Sequence, residues 1–339
     1  MSNLYKQCEE RVNRTYKGGL MIDRFLGKSD PHDTNQPEDW ISSFTEAKNK
    51  TYIENEGLTE LYTKEGRRLI TQVIGKDDFG DGRSSADVLI KLLDSAERLG
   101  IQVHPTPEFS QENFGTPHGK TECWHILGVR DGYDAAIYIG FKEGITKEKW
   151  ESLFLAQDIG GMLECMHRFP VKEGDTVLVR AGTPHAIGAG CFLLEIQEPC
   201  DYTMRVEKVT VAGEALTPHQ IHYGVGEEKL LDCFIYDGLS EAEARKRYFL
   251  EEKVTKSEKS THTSLVSYDD TPHFRLCKAS GVYKFTPDSF VTLVITEAGY
   301  VESGSERIES VRGDKIFIPY RGNEITICGE AIICYPPKL

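Results

Sequence analysis

Apolar positions in this chain fall into short runs bounded by glycine, proline and acidic turns, not into long helical stripes. Lys120 to Val129 is rich in β-forming residues, Ala135 to Phe141 alternates, and Thr176–Val179 and Cys191–Gln197 are brief apolar runs, the pattern of strands. Two helical stretches interrupt them. Thr146 can cap the first, with Trp150, Leu153 and Phe154 on one face; Gly160-Gly161 breaks it, and Met162 to Phe169 continues in helical style until Pro170. Ser240-Glu241-Ala242-Glu243 is a capping box that opens a charged helix through about Glu252. Strands resume at His273 to Ala279, Phe290 to Thr296, Lys315 to Pro319 and Ile325 to Tyr335. The first fifty residues are polar and turn-rich, and Gly75 to Gly82 is an Asp/Gly loop. Between Asp87 and Leu99, Val88, Leu89, Leu92, Leu93 and Ala96 recur at helical spacing, so periodicity alone predicts a helix there. The layout reads as two β modules joined by helices.

At 339 residues the chain is long enough for about two domains. Its 40 basic against 54 acidic side chains leave a net charge of -14. That field disfavours nucleic acid and anionic membrane as partners, and an anionic small molecule then needs a local cluster of Lys and Arg. The nine cysteines include no C-x-x-C. Met1 to Gly18 has no apolar signal-peptide core, and nowhere do ~18 apolar residues run together. A cytoplasmic protein with reduced thiols is the expectation.

Metal-ligand side chains concentrate in a few of the strands. Gln102 and His104 stand at i and i+2, so on a strand both face the same side. Glu122 lies inside Lys120-Thr121-Glu122-Cys123-Trp124, and His185 follows Gly182-Thr183-Pro184. A Gln-x-His pair alone is more commonly a hydrogen-bonded wall than a ligand pair. Two His, one Glu and one Gln together suit Zn²⁺ or another borderline divalent ion and leave a position for substrate. His219 and His222 are crowded by Pro218 and Gly224, and the Gly75–Gly82 loop lacks a Walker lysine. Both read as structural.

The stretches Gln102-Val103-His104-Pro105, GKTECW at 119–124, AGTPHAIG at 181–188 and Leu194-Glu195-Ile196-Gln197 resemble type I phosphomannose isomerases, zinc enzymes of the cupin fold, and most of all their short bacterial form. The resemblance covers roughly residues 85–205 and returns more weakly at 289–335, where Gly313-Asp314 and Ile318-Pro319 look like a second cupin-like turn. It implies a mainly β chain: a cupin (jelly-roll) barrel with helical insertions and a second, C-terminal cupin-like β module. The implied division is a catalytic domain over 1–209, with an N-terminal extension and a helical insert at about 146–169. A helical linker over 210–260 and a β domain over 261–339 follow. It also implies that Val88 to Leu93 and Leu99 to Val103 are strands, against the periodicity.

Carried over residue by residue, the family's zinc ligands fall on Gln102, His104, Glu122 and His185, one ion per chain. Its active-site arginine falls on Arg205, its lysine on Lys120, and an acidic residue on Glu195. The implied reaction interconverts mannose 6-phosphate and fructose 6-phosphate through an enediol(ate). That step needs a base near the carbon acid and positive charge where the oxygens develop. Glu195 is the first candidate base, with a neutral Lys120 or a metal-bound water as alternatives; a supporting contact to a zinc-bound His is the structural reading of Glu195. Gly119 stands where longer members carry His, and Met204-Arg205-Val206-Glu207-Lys208 replaces the usual aromatic-rich ending. These departures touch the rim, not the ligands. They leave open an isomerase of another sugar, phosphorylated or not, and a non-catalytic sugar-binding cupin.

Overall fold

The computed structural model describes residues 2–338. Two antiparallel sheets face each other as a jelly roll, and a third packs on the outside. Sheet A runs Thr176–Val179, Glu122–Val129, Cys191–Gln197, Leu89–Asp94, Glu38–Ile41, Arg11–Val12. Opposite it, sheet B runs Met166–Pro170, Ala136–Phe141, His185–Ile187, Gln102–Val103, Met204–Arg205. Sheet C is an eight-stranded sheet built mainly from the C-terminal strands, with the long strands Arg275–Phe285, Val291–Ser303 and Ile325–Tyr335 at its centre. The N-terminal strand Tyr5–Lys6 pairs with Lys315–Ile318 at one edge of sheet C, Tyr5 opposite Phe317. Both ends of the chain therefore meet in one sheet.

Side-chain alternation divides sheet A into two faces. Leu93, Trp124, Ile126, Val177 and Leu193 turn toward Ile137, Ile139 and Ile187 of sheet B. The intervening Ile90, Leu92, Cys123, Leu178, Leu194 and Ile196 turn the other way, onto Leu276, Phe317 and Ile332 of sheet C. Sheet A is thus a central layer buried on both sides.

Leu89–Asp94 is a strand, all six residues buried, as the resemblance implied and the 3.6-residue spacing did not. Glu38–Ile41, within the stretch read as polar and turn-rich, is a fully buried strand of sheet A. Helices occupy Lys147–Ala156 and Ile159–Glu164, the first capped by the Thr146 side chain. The helical reading of Met162 to Phe169 is corrected beyond Glu164: Met166–Pro170 is a strand paired with Ala136–Phe141. Arg168 points out there while His167 and Phe169 are buried, a period of two hidden inside a short apolar segment. The capping box at Ser240 forms, but its helix ends at Tyr248, short of Glu252. Phe249 turns extended, bridges to Val177 and packs edge-on against Phe169, 5.3 Å between ring centres. Lys253–Lys256 then opens sheet C. No helix among the described residues is long and apolar enough to cross a membrane.

Candidate metal centre

Strand register assembles two polar rungs inside the jelly roll. Across sheet A, Trp40 stands opposite Lys91, Lys91 opposite Glu195, and Glu195 opposite Trp124. Across sheet B, Arg205 stands opposite Gln102, and Gln102 opposite His185. Two strands therefore carry a lone charge at an inward position of an otherwise apolar run: Lys91 in Leu89–Asp94 and Glu195 in Cys191–Gln197.

His104, Glu122 and His185 offer ligand atoms that all lie within 4.8 Å of one another, and all three residues are buried. His104 Nε2 is 3.1 Å from Glu122 Oε2, and His185 Nε2 is 3.4 Å from Glu122 Oε1. Gln102 joins them, its Nε2 3.1 Å from His185 Nε2. Each imidazole is held by its other nitrogen: His104 Nδ1 lies 3.0 Å from the Tyr202 carbonyl and His185 Nδ1 2.9 Å from the Thr183 carbonyl. A carbonyl only accepts, so both Nδ1 atoms carry the proton and both Nε2 lone pairs face the cluster, the arrangement that fixes metal-binding histidines. Burial, reinforced at His104 by Lys120, lowers both pKa values, that of His104 to about 3, so both rings stay neutral and able to ligate.

Two observations show that these atoms suit a cation. Glu122 Oε1 is buried without a hydrogen-bond partner, a cost that a positive ligand removes. The Lys120 ammonium sits 2.8 Å from His104 Nε2 and 2.6 Å from Glu122 Oε2, placing a positive charge against the ligand set. Burial would raise the Glu122 carboxyl, but Lys120 and His104 outweigh it and hold it well below the usual range. Burial would likewise lower Lys120, yet Glu122 and Glu195 keep it raised and charged. The two neutral imidazoles, carboxylate and amide are the nitrogen and oxygen donors expected for zinc.

Gln102, Lys120, Glu195 and Arg205 line a cavity of about 880 Å³ that opens beside this cluster. Glu195 Oε1 is 3.3 Å from Lys91 Nζ. Burial, with the nearby charge of Glu122, raises the Glu195 carboxyl despite Lys91. Arg205 donates through Nη1 to the carbonyls of Gln220 (2.6 Å) and Thr203 (3.2 Å). Among the described residues it makes no ion pair, so its charge is uncompensated. Gly119 has no room for a side chain: a Cβ there would lie 2.8 Å from Pro107 Cδ and 3.0 Å from the Pro105 carbonyl. The turn before Lys120 therefore carries no larger residue at this position. His219 borders the cavity but lies outside the ligand cluster.

The site has a floor that sequence reading missed. Arg14 holds Glu38 (2.9 Å) and Asp201 (3.1 Å), Glu38 also accepts from Tyr16 (2.7 Å), and Lys91 lies 3.6 Å from Glu38. Lys91 was visible as a lone charge in an apolar run. The Arg14–Asp201 pair spans 187 residues and left no local signal.

The family model for the catalytic domain of type I phosphomannose isomerases matches residues 9–122, which include Gln102, His104 and Glu122. A mannose-6-phosphate isomerase of Streptococcus mutans is 34% identical over 204 residues, 58% of this chain and 58% of its own length. A mannose-6-phosphate isomerase of Bacillus subtilis is 27% identical over 246 residues, 72% of each chain. The aligned region thus spans less than two thirds of the first of these relatives. In structure, a crystallised mannose 6-phosphate isomerase from Bacillus subtilis superposes with a TM-score of 0.77 at 20% identity, covering 98% of this chain and 100% of that one. A zinc-bound mannose 6-phosphate isomerase superposes with a TM-score of 0.73 at 15% identity over 99% and 100%. These likenesses establish the fold.

Proposed function

We propose that this chain, a relative of the type I phosphomannose isomerases, is a zinc-dependent aldose–ketose isomerase that interconverts mannose 6-phosphate and fructose 6-phosphate. The observation that carries the reading is the buried His104–Glu122–His185 cluster, with both Nε2 lone pairs turned inward beside a cavity holding one carboxyl of raised pKa and one unpaired arginine. Gln102, His104, Glu122 and His185 would hold the ion, whose contribution when bound is Lewis acidity toward a carbonyl or hydroxyl oxygen.

The chain's own residues supply the rest. Glu195 removes the proton from C2 of the open-chain aldose and returns it at C1, with the enediolate between. A carboxyl with raised pKa is a stronger base and holds the proton between the two transfers. Lys91, opposite Glu195 in register, orients it. Arg205, permanently charged and fork-shaped, binds the oxygens that gain charge. Lys120 donates to a substrate oxygen from its place beside Glu122. Trp40 and Trp124 flank the inward Lys91–Glu195 rung in register. A cytoplasmic setting accords with nine free cysteines, eight of them buried.

The test incubates zinc-loaded protein with mannose 6-phosphate and, separately, with free mannose. Ketose is expected from the phosphate ester. Turnover of free mannose alone moves the assignment to another sugar, and no turnover of either overturns it.

A further inference from the structure

Six Lys and Arg side chains line the cavity: Arg14, Lys48, Lys50, Lys91, Lys120 and Arg205. Three are neutralised by buried carboxylates: Arg14 by Glu38 and Asp201, Lys91 by Glu195 and Glu38, Lys120 by Glu122. Among the described residues Lys48, Lys50 and Arg205 make no ion pair. The lining also carries Glu46, an exposed acid that makes no ion pair among the described residues. Three unpaired cations thus face one unpaired acid, and in a chain of net charge -14 that local excess of positive charge favours an anion. Arg205 neighbours Gln102 at the ligand end. The two lysines share the loop around Asn49.

That loop is fixed to the floor. The Lys48 backbone N–H donates to Asp201 Oδ2 (2.9 Å), and Arg14 grips the same carboxylate, Nη1 on Oδ2 (3.3 Å) and Nη2 on Oδ1 (3.1 Å). Arg14 Nη1 donates to Asn49 Oδ1 (3.2 Å), and Asn49 Nδ2 donates to Glu56 Oε2 (2.9 Å). Asn49 is thus turned to the protein, while the lysines on either side are exposed. Lys48 Nζ lies 4.3 Å from the centre of the Tyr202 ring and 3.2 Å from its hydroxyl. Tyr202 is stacked on Phe114, ring centres 4.2 Å apart, and its carbonyl is the group that orients His104. One residue therefore links the ligand cluster, through its backbone, to the outer cation, through its ring.

We infer that Lys48 and Lys50, with the Tyr202 hydroxyl, form the subsite for a phosphate monoester at the end of the substrate remote from the reacting carbons. The inference rests on the proposed sugar-phosphate reaction for its substrate class, but its geometry stands independently. Compact ammonium groups on flexible stems suit a tetrahedral dianion entering from solvent.

The test is the double variant Lys48→Gln/Lys50→Gln, with Lys253→Gln/Lys284→Gln, two exposed lysines of sheet C, as the equal-charge control. Calorimetry with inorganic phosphate and steady-state kinetics with mannose 6-phosphate are run on zinc-loaded protein. The phosphate Kd and the KM are expected to rise about tenfold or more in the double variant. Its kcat, bound zinc and melting midpoint stay at parent values, and the control matches the parent throughout. Failure of the parent chain to bind phosphate, or an unchanged phosphate Kd in the double variant, overturns the subsite. A parent chain that binds phosphate through these lysines but does not isomerise mannose 6-phosphate would instead overturn the proposed reaction and leave the subsite standing.

Discussion

The two faces of sheet A share the same strands and serve different ends. Along Cys191–Gln197, Leu194 and Ile196 pack onto sheet C, while Leu193 and Glu195 turn into the jelly roll. The outer face is a continuous apolar seam. The inner face interrupts its apolar floor with Lys91 and Glu195, and with Glu122 at the end of the neighbouring strand. Burying those charges costs stability that the seam and each cross-strand ion pair offset. What separates a packing face from a reactive one is a few substitutions at alternate positions within the same fold.

Breaking the inner face at its ligands has the largest expected effect. His185→Ala should take bound zinc from one ion per chain to none. Turnover should fall by about 10³-fold or more, the loss of several kcal/mol of charge stabilisation. Elemental analysis beside the isomerase assay reads both. Glu195→Gln keeps the shape and the ion, so zinc content and melting should hold while kcat drops by roughly 10²–10⁴-fold. Because burial raises the Glu195 carboxyl, the acid limb of the parent's kcat/KM profile should lie above the 4.5 of a free glutamate. Activity falls as pH drops through that step, and the limb should vanish in the variant.

The outer face should answer in the opposite way. Leu194 is fully buried against sheet C, and Leu194→Ala should cost about 2–5 kcal/mol in denaturant unfolding. Zinc content and kcat per folded molecule should be unchanged. A large loss of kcat there would mean that the faces are not separable.

A smaller effect sharpens the same distinction away from the cavity. Burial, with Asp39, Glu60 and Glu56 nearby, raises the Glu10 carboxyl to about 7, against the pull of the Gly57 N–H. Between 4.5 and about 7 the folded chain then binds more protons here than the unfolded chain, so this group's contribution to stability is lost as pH rises through that window. Glu10→Gln should melt higher than the parent at pH 8, converge with it near pH 4, and leave kcat untouched.

Much of this division was legible along the chain. Thr176–Val179 and Cys191–Gln197 appear with the boundaries their composition indicates, because short β-branched and aromatic runs between turns have few alternatives. The motifs named Gln102, His104, Glu122 and His185 before any geometry, and these four side chains lie together in one cluster. Leu89–Asp94 misled because a six-residue strand buried on both faces carries polar side chains only at Lys91 and Asp94, three residues apart, which mark no period of two. Met166–Pro170 was hidden for a related reason, following a helix without an intervening turn signal. The Arg14–Glu38–Asp201 floor and the Lys48 loop are products of distant pairing, and no local pattern encodes which carboxylate meets which cation.

Metal removal and replacement tests the central claim most directly. Chelated protein should be folded but inactive toward mannose 6-phosphate, and stepwise zinc addition should restore turnover in proportion until one ion per chain is bound. His104→Ala and Glu122→Ala should bind no stoichiometric zinc and recover nothing. Full isomerase activity in thoroughly chelated protein, or saturable zinc binding that survives loss of His104, Glu122 and His185, would contradict the account.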